Sequence, residues 1–221
     1  MTSGEIKADW ARLFRVACSL IRQVNATNTI IDRWAFGGGT AMMLRIGHRD
    51  SRDVDIFLPD PQFLPFLDPS KHDFAFDLQP ADCHGDGSRF LKMAFESVGE
   101  IDFIVANSLT SEPTTPETIE GEAILLETVP EIITKKIYRR GAVIRPRDIF
   151  DIAAAAQAHA DSIVRELRPY KNEVATALAT VNRLNPDFVA RAISQLAIRP
   201  RYAALVATAH DRAKEILGSV A

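Results

Sequence analysis

Residues 36–58, FGGGTAMMLRIGHRDSRDVDIFL, constrain the fold more than any other stretch, because they predict a glycine turn, a helix and a strand in immediate succession. The residues IDRWAF that lead into the glycines predict a further short strand, and the apolar spacing of 40–46 predicts the helix. The segment DVDIFL alternates strictly, which predicts a strand with Val54, Ile56 and Leu58 on one face and Asp53, Asp55 and Phe57 on the other.

The alternation places the side chains of Asp53 and Asp55 on the same side of the strand, with their Cα atoms about 6.5–7 Å apart. Two carboxylates this close repel each other unless a cation lies between them or one of them is protonated. Such pairs suit Mg²⁺ (or Mn²⁺), which completes its coordination with water and substrate phosphates. A later predicted strand, GEIDFIVA, carries Asp102 on its polar side, so Asp102 could be a third metal ligand or a general base.

Three consecutive glycines, Gly37 to Gly39, stand where the first predicted strand meets the helix. Glycine lets backbone N–H groups approach a phosphate, and the positive end of the dipole of a helix starting near Thr40 would face it. A tight turn with positive φ explains one glycine equally well, but it explains three less well. The residues that follow fit neither a Walker A loop nor a G-x-G-x-x-G dinucleotide loop.

The rest of the chain predicts a mixed α/β portion followed by helices. The predicted elements before the helices are an amphipathic helix at about 6–25, strands HDFAFDL and RFLKMAF around an HGDGS turn, and a polar loop at 107–122. From about residue 130 the apolar spacing is helical almost throughout, with prolines marking bends. Cys18 and Cys83 have no metal-ligand spacing, so we expect free thiols in a reducing compartment.

Charge is segregated along the chain, although the net charge of −3 does not by itself indicate a nucleic-acid-binding protein. Residues 93–134 contain nine acids and no base, whereas 135–147 contain six bases and no acid. The basic run is either a solvated face or an anion site for phosphates. No run approaches the ~20 apolar residues that cross a bilayer, and the N-terminus lacks a signal peptide's apolar core, so we expect a cytoplasmic protein.

The segments GGTA (38–41) and GHRDSRDVDIF (47–57) resemble the AbiEii/AbiGii toxin family of nucleotidyltransferases, within the polymerase-beta-like superfamily. That family's pattern runs G-G-[ST]-A, a short helix, then H-R-x-S-x-D-[IV]-D-[LIF]-F. Its second block, a lysine on a helix followed by R-D-[LI]-[FY]-D-[LI], resembles 129–152 of this chain. The resemblance implies an α+β fold, with a nucleotidyltransferase core of mixed sheet and flanking helices at 1–125 and a helical portion at 126–221.

The resemblance also implies transfer of a nucleoside monophosphate from an NTP to an acceptor, for which tRNA or another RNA is the expected class. It implies a toxin of a toxin–antitoxin or phage-defence pair, with a cognate antitoxin as a partner. The implied site has metal ligands Asp53, Asp55 and Asp102 and further catalytic residues Lys136 and Asp148. The residues implied to bind the nucleotide are Gly38, Gly39, Thr40, Ser51, Arg49 and Lys136.

Several of these assignments have alternatives. Lys135 adjoins Lys136, and either of them could be the site lysine. Asp148 could cap a helix, and Asp151 is expected to be structural, with Arg147 as its partner one turn earlier. The same fold could also be a catalytically silent nucleotide- or partner-binding module. A sugar-nucleotide transferase using the D-x-D pair is a further alternative, but it would leave the glycine turn unexplained.

Overall fold

A computed structural model describes residues 3–220 of the chain, with side chains from residue 9 onward, as two compact units. The sheet unit comprises the residues up to Ala41, Ser51–Asn107 and Thr114–Glu127. The helical unit comprises Met42–Asp50, Ser108–Pro113 and the residues from Thr128 onward. The last change of unit therefore falls close to the predicted boundary at 125, while two short segments from the predicted core belong to the helical unit.

The sheet unit is built on a seven-stranded mixed sheet, which confirms the predicted α+β class. Its elements are α1 (Ser3–Val24), β1 (Ala35–Gly37), the start of α2 (Gly38–Ile46), β2 (Val54–Leu58), α3 (Leu64–Leu67), β3 (Asp82–Gly85), β4 (Phe90–Phe95), β5 (Gly99–Val105), β6 (Thr114–Ile119) and β7 (Glu122–Glu127). The strand order is β3-β4-β5-β2-β1-β7-β6. Strand β2 pairs in parallel with β5 and β1 in parallel with β7, and the other pairs are antiparallel.

The apolar residues that alternate along β2 lie in the core of the sheet unit. Val54, Ile56 and Leu58 are fully buried, as the sequence predicts. Helix α1 packs on β2 and β5, and the rings of Phe14 and Phe36 stack with their centroids 5.0 Å apart. Burying these apolar side chains stabilises the sheet and fixes the opposite face of β2, which carries Asp55.

The segment HDFAFDL is not a strand, and the partner of β4 is instead β3 (Asp82–Gly85). Its alternating aromatic side chains pack on one another, because the rings of Phe74 and Phe76 lie 6.0 Å apart in an edge contact. Its backbone bonds to a side chain rather than to a strand, since the Ala75 N–H donates to Gln23 Oε1 at 2.9 Å. Period-two spacing alone could not distinguish this arrangement from a strand.

The predicted polar loop at 107–122 is also wrong in its second half. Strands β6 and β7 form a hairpin that turns at Glu120 and Gly121, where φ is 50° and 84°. The polar composition predicted a loop, but β6 is the edge strand of the sheet, where the missing backbone donor of Pro116 is tolerated.

The helical unit confirms the predicted helical portion. Its helices are α4 (Val129–Arg140), α5 (Pro146–Leu167), α6 (Lys171–Arg183), α7 (Pro186–Ser194) and α8 (Ala209–Gly218). Helix α5 packs against α4, α7 and α8, and Ala153–Ala156 are buried along it. The helix bends at His159, whose φ of −126° and ψ of 16° are not helical. Within the described part of the chain, no helix has the length and apolar character needed to span a membrane.

The small size of the buried alanines on α5 should be required for stability. We expect Ala155→Leu to lower the free energy of unfolding by about 1–3 kcal/mol, because the added carbons enter a packed interior. Ala158→Leu, at an exposed alanine of the same helix, should change it by less than about 0.5 kcal/mol. Urea unfolding of both variants measures the difference, and equal effects would contradict the packing described for α5.

Candidate functional site

The glycine turn at the end of β1 brings two carboxylates against the backbone. Gly38, the first residue of α2, has a φ of +70°, which favours glycine. A Cβ atom at Gly38 would lie 1.9 Å from Asp55 Oδ2, and one at Gly37 would lie 2.1 Å from Glu127 Oε2. These glycines are therefore required by the close approach of the two acids, in addition to any role in binding phosphate.

Asp55 and Asp102 are neighbours in the parallel pair β2–β5, where their Cα atoms are directly opposite each other. Burial, followed by the charge of Asp55, raises the pKa of Asp102 to about 6 against the opposing effect of Lys92. Lys92 Nζ lies 3.3 Å from Asp102 Oδ2, while Asp102 Oδ1 is buried and accepts no hydrogen bond. We call Asp55 and Asp102 the carboxylate pair.

Asp53 is placed differently from the other two predicted metal ligands. Its Oδ1 accepts a hydrogen bond from the Glu100 N–H at 3.2 Å, and its carbonyl accepts one from the Thr40 hydroxyl. Among the residues with described side chains, no three His, Cys, Asp or Glu are grouped as metal ligands. Carboxylate oxygens are the ligands that Mg²⁺ prefers, but Asp53, Asp55 and Asp102 all remain predicted metal ligands.

The helical unit contains a second group of charges, which we call the buried ion cluster: His48, Arg49, Lys136, Asp148 and Asp151. The Arg49 guanidinium donates to both carboxylate oxygens of Asp151, from Nε at 2.8 Å and Nη2 at 3.0 Å. Lys136 Nζ lies 3.0 Å from Asp148 Oδ1 and 3.0 Å from Asp151 Oδ2. His48 Nε2 lies 2.9 Å from Asp151 Oδ1.

The charges of the buried ion cluster compensate one another. Complete burial alone would raise the pKa of Asp151, but the charges of Arg49 and Lys136 hold it well below its ordinary range. Burial lowers the pKa of His48, which favours the neutral imidazole. The expected pairing of Asp151 with Arg147 is therefore wrong, because its partners come from the segment 42–50 and from α4.

The remaining assignments in the helical unit can now be located. Lys135 Nζ lies 3.2 Å from Glu131 Oε1, so the two adjacent lysines have different acidic partners. The backbone N–H of Arg145 donates to Asp148 Oδ2 at 3.2 Å, and Asp148 thus caps α5 while it also pairs with Lys136. Arg49 is predicted to bind the nucleotide, but the structure shows its guanidinium bound to Asp151.

The basic run at 135–147 divides into buried and exposed residues. Lys135 and Lys136 are only 6% and 8% exposed, and both pair with carboxylates. Arg139, Arg145 and Arg147 are exposed. The three exposed arginines fit the interpretation as a solvated face, and the anion site for phosphates stays a prediction.

The sequence-based prediction misses two charged residues beside the site, Lys92 and Glu127. Lys92 follows from the alternation of RFLKMAF once β4 is paired with β5, because it lies directly opposite Asp102. Glu127 belongs to a strand that the sequence patterns do not predict, so no periodic signal could have assigned it to the glycine turn.

The carboxylate pair should titrate as two interacting groups. In metal-free protein we expect the Asp102 carboxyl to titrate near pH 6, and Asp55→Asn should lower that pKa because it removes the neighbouring negative charge. Carbon-13 NMR of the side-chain carboxyls measures the shift. Glu96→Gln, at an exposed position beyond β4, should leave the pKa unchanged, and an equal shift in both variants would contradict the pairing.

No curated protein matches the chain. The chain resembles the solved structure of MenT4, a nucleotidyltransferase toxin from Mycobacterium tuberculosis H37Rv, with 20% identity over 95% of this chain and 83% of that chain and a TM-score of 0.54. It also resembles JHP933 from Helicobacter pylori, with 12% identity over 100% of this chain and 93% of that chain and a TM-score of 0.50. These likenesses establish a shared fold.

The family assignment comes from a sequence-family model rather than from these structures. The model described as "Nucleotidyl transferase AbiEii toxin, Type IV TA system" matches residues 20–217. This match covers both sequence blocks that suggested the resemblance. The chain belongs to the AbiEii family of nucleotidyltransferase toxins of type IV toxin–antitoxin systems.

Proposed function

We propose that this nucleotidyltransferase uses Mg²⁺ or Mn²⁺ to transfer a nucleoside monophosphate from an NTP to an RNA acceptor, with release of pyrophosphate. The acceptor class, tRNA, is the one that the family resemblance implies. In the cell it would act in the cytoplasm as the toxin of a toxin–antitoxin or phage-defence pair, with a cognate antitoxin protein. The family match and the carboxylate pair support this proposal.

The observation that carries the proposal is that Asp55 and Asp102 lie opposite each other in the β2–β5 pair, with Asp102 Oδ1 buried and without a hydrogen bond. A buried carboxylate beside a second one is stabilised either by a proton or by a cation. Asp55 and Asp102 would hold the divalent ion, and Asp53 would join them if its bond to the Glu100 N–H is released. When bound, the ion neutralises charge on the phosphates of the nucleotide.

The glycine turn would hold the phosphates through its backbone. At the start of α2 the first N–H groups have no partner within the helix, and they carry the positive end of its dipole. Gly38 and Gly39 would donate these N–H groups to phosphate oxygens. The Thr40 hydroxyl is already donated to the Asp53 carbonyl, so we assign Thr40 a role in fixing the turn. Ser51 would bind a phosphate or orient Asp53.

The buried ion cluster would supply a lysine of fixed orientation. Lys136 is shared between Asp148 and Asp151, so its side chain is held in place by two contacts. In the proposed reaction Lys136 neutralises charge on the triphosphate. Asp148 would orient the lysine, and Asp151 would hold Arg49 beside it through two hydrogen bonds.

The proposal predicts labelling of RNA that depends on the carboxylate pair. With α-labelled NTPs, a divalent cation and bulk tRNA, we expect the wild type to label the RNA, and Asp55→Asn or Asp102→Asn to lower the rate by about 10²-fold or more. Asp82→Asn, a charge-matched change at an exposed position on β3, should retain the wild-type rate. Nucleotide binding without labelling by the wild type would instead favour the catalytically silent module.

A further inference from the structure

A third acid continues the row formed by the carboxylate pair across the sheet. Asp102 on β5 is opposite Asp55 on β2, and Asp55 is opposite Gly37 on β1. On the far side of β1, Phe36 is the partner of Leu126, so the next residue of β7, Glu127, follows in line with Gly37. The row across four strands therefore reads acid, acid, glycine, acid.

The side chain of Glu127 occupies the space that a side chain at Gly37 would need. Glu127 is only 1% exposed, although it is the last residue of its strand. A Cβ atom at Gly37 would lie 2.1 Å from Glu127 Oε2 and 2.5 Å from Phe57 Cε2. On the following residue, Asp55 Oδ2 occupies the equivalent space at Gly38. Glu127 and Asp55 thus bracket the peptide at which α2 begins.

The helix dipole and the two carboxylates have opposite effects on an anion that approaches the start of α2. The helix dipole favours a negative charge there, but the carboxylates already supply it. A polyphosphate that approaches without a cation is repelled by both acids, whereas a divalent ion offsets that repulsion. The arrangement therefore discriminates between a free nucleotide and a nucleotide–metal complex.

We propose that Glu127 is a positioning residue that makes nucleotide binding at the glycine turn depend on the divalent cation. This inference rests on the proposed nucleotide site, but it concerns a residue that neither the family pattern nor the sequence periodicity includes. A Glu127 that only filled space beside Gly37 would affect unfolding, but it would not change the dependence of nucleotide binding on the metal.

The test compares nucleotide binding with and without metal. The probes are the α,β-methylene analogues of the four NTPs, and their affinities are measured by calorimetry in Mg²⁺ and in EDTA. We expect E127Q to raise the affinity in EDTA and to reduce the ratio of the two affinities on the order of tenfold, the effect of one charge acting over several ångströms.

Two further variants serve as controls. Glu122 lies at the start of the same strand and pairs with Arg22, so E122Q removes an equal charge and should keep the wild-type ratio. E127D retains the charge and should stay within about threefold of the wild-type ratio. This comparison remains informative if E127Q fails to fold, because a large loss of the ratio in E127D would mean that shape rather than charge matters.

The possible failures can be told apart. An unchanged ratio in folded E127Q, with normal binding in Mg²⁺, would overturn the role of Glu127 and leave the proposed function intact. No binding of any analogue by the wild type in Mg²⁺ would overturn the nucleotide site itself, and the inference with it. Urea unfolding confirms that each variant is folded before its affinities are compared.

Discussion

Electrostatic repulsion between Asp55 and Asp102 is the constraint on which the site depends. The register of β2 and β5 holds these residues opposite each other, and the apolar face of β2 fixes that register by burying Val54, Ile56 and Leu58. The sheet therefore cannot separate the two carboxylates. Lys92 offsets part of the repulsion, and the pKa of Asp102 is still raised to about 6, first by burial and then by the charge of Asp55.

The buried ion cluster of the helical unit also contains two acids close together, but basic side chains balance their charges. Asp148 and Asp151 are also close together and fully buried, but Arg49 and Lys136 balance their charges. The pKa of Asp151 accordingly stays well below its ordinary range. A balanced buried group needs no ligand, whereas the pKa of Asp102 is raised to about 6 despite the nearby Lys92. This contrast, rather than the number of acids, is the reason for proposing a cation at the carboxylate pair.

The sequence predicts those parts of the fold that are encoded by local period and spacing. It predicts β2 with its acidic face, the glycine turn, the strand of Asp102 and most helices of the helical unit. It does not predict β6, in which Pro116 is tolerated because the strand lies at the sheet edge. It does not predict β7 either, because its residues EAILLE do not alternate strictly between apolar and polar. The sequence could not predict the partners of Asp151 either, since Arg49 is 102 residues away in sequence. Local spacing pointed only to Arg147, one helical turn earlier.

The glycines and the aspartates of the family pattern form a single structural requirement. Three glycines before a helix suggest a phosphate cradle, but here Gly37 and Gly38 also leave the space that Glu127 and Asp55 occupy. A side chain at either glycine would collide with a carboxylate that the sheet register holds in place. The two acids also depend on the glycine turn, because they can lie this close to the start of α2 only where the backbone carries no side chain. The geometry that would bind phosphate is therefore maintained by Asp55, a proposed metal ligand, and by Glu127.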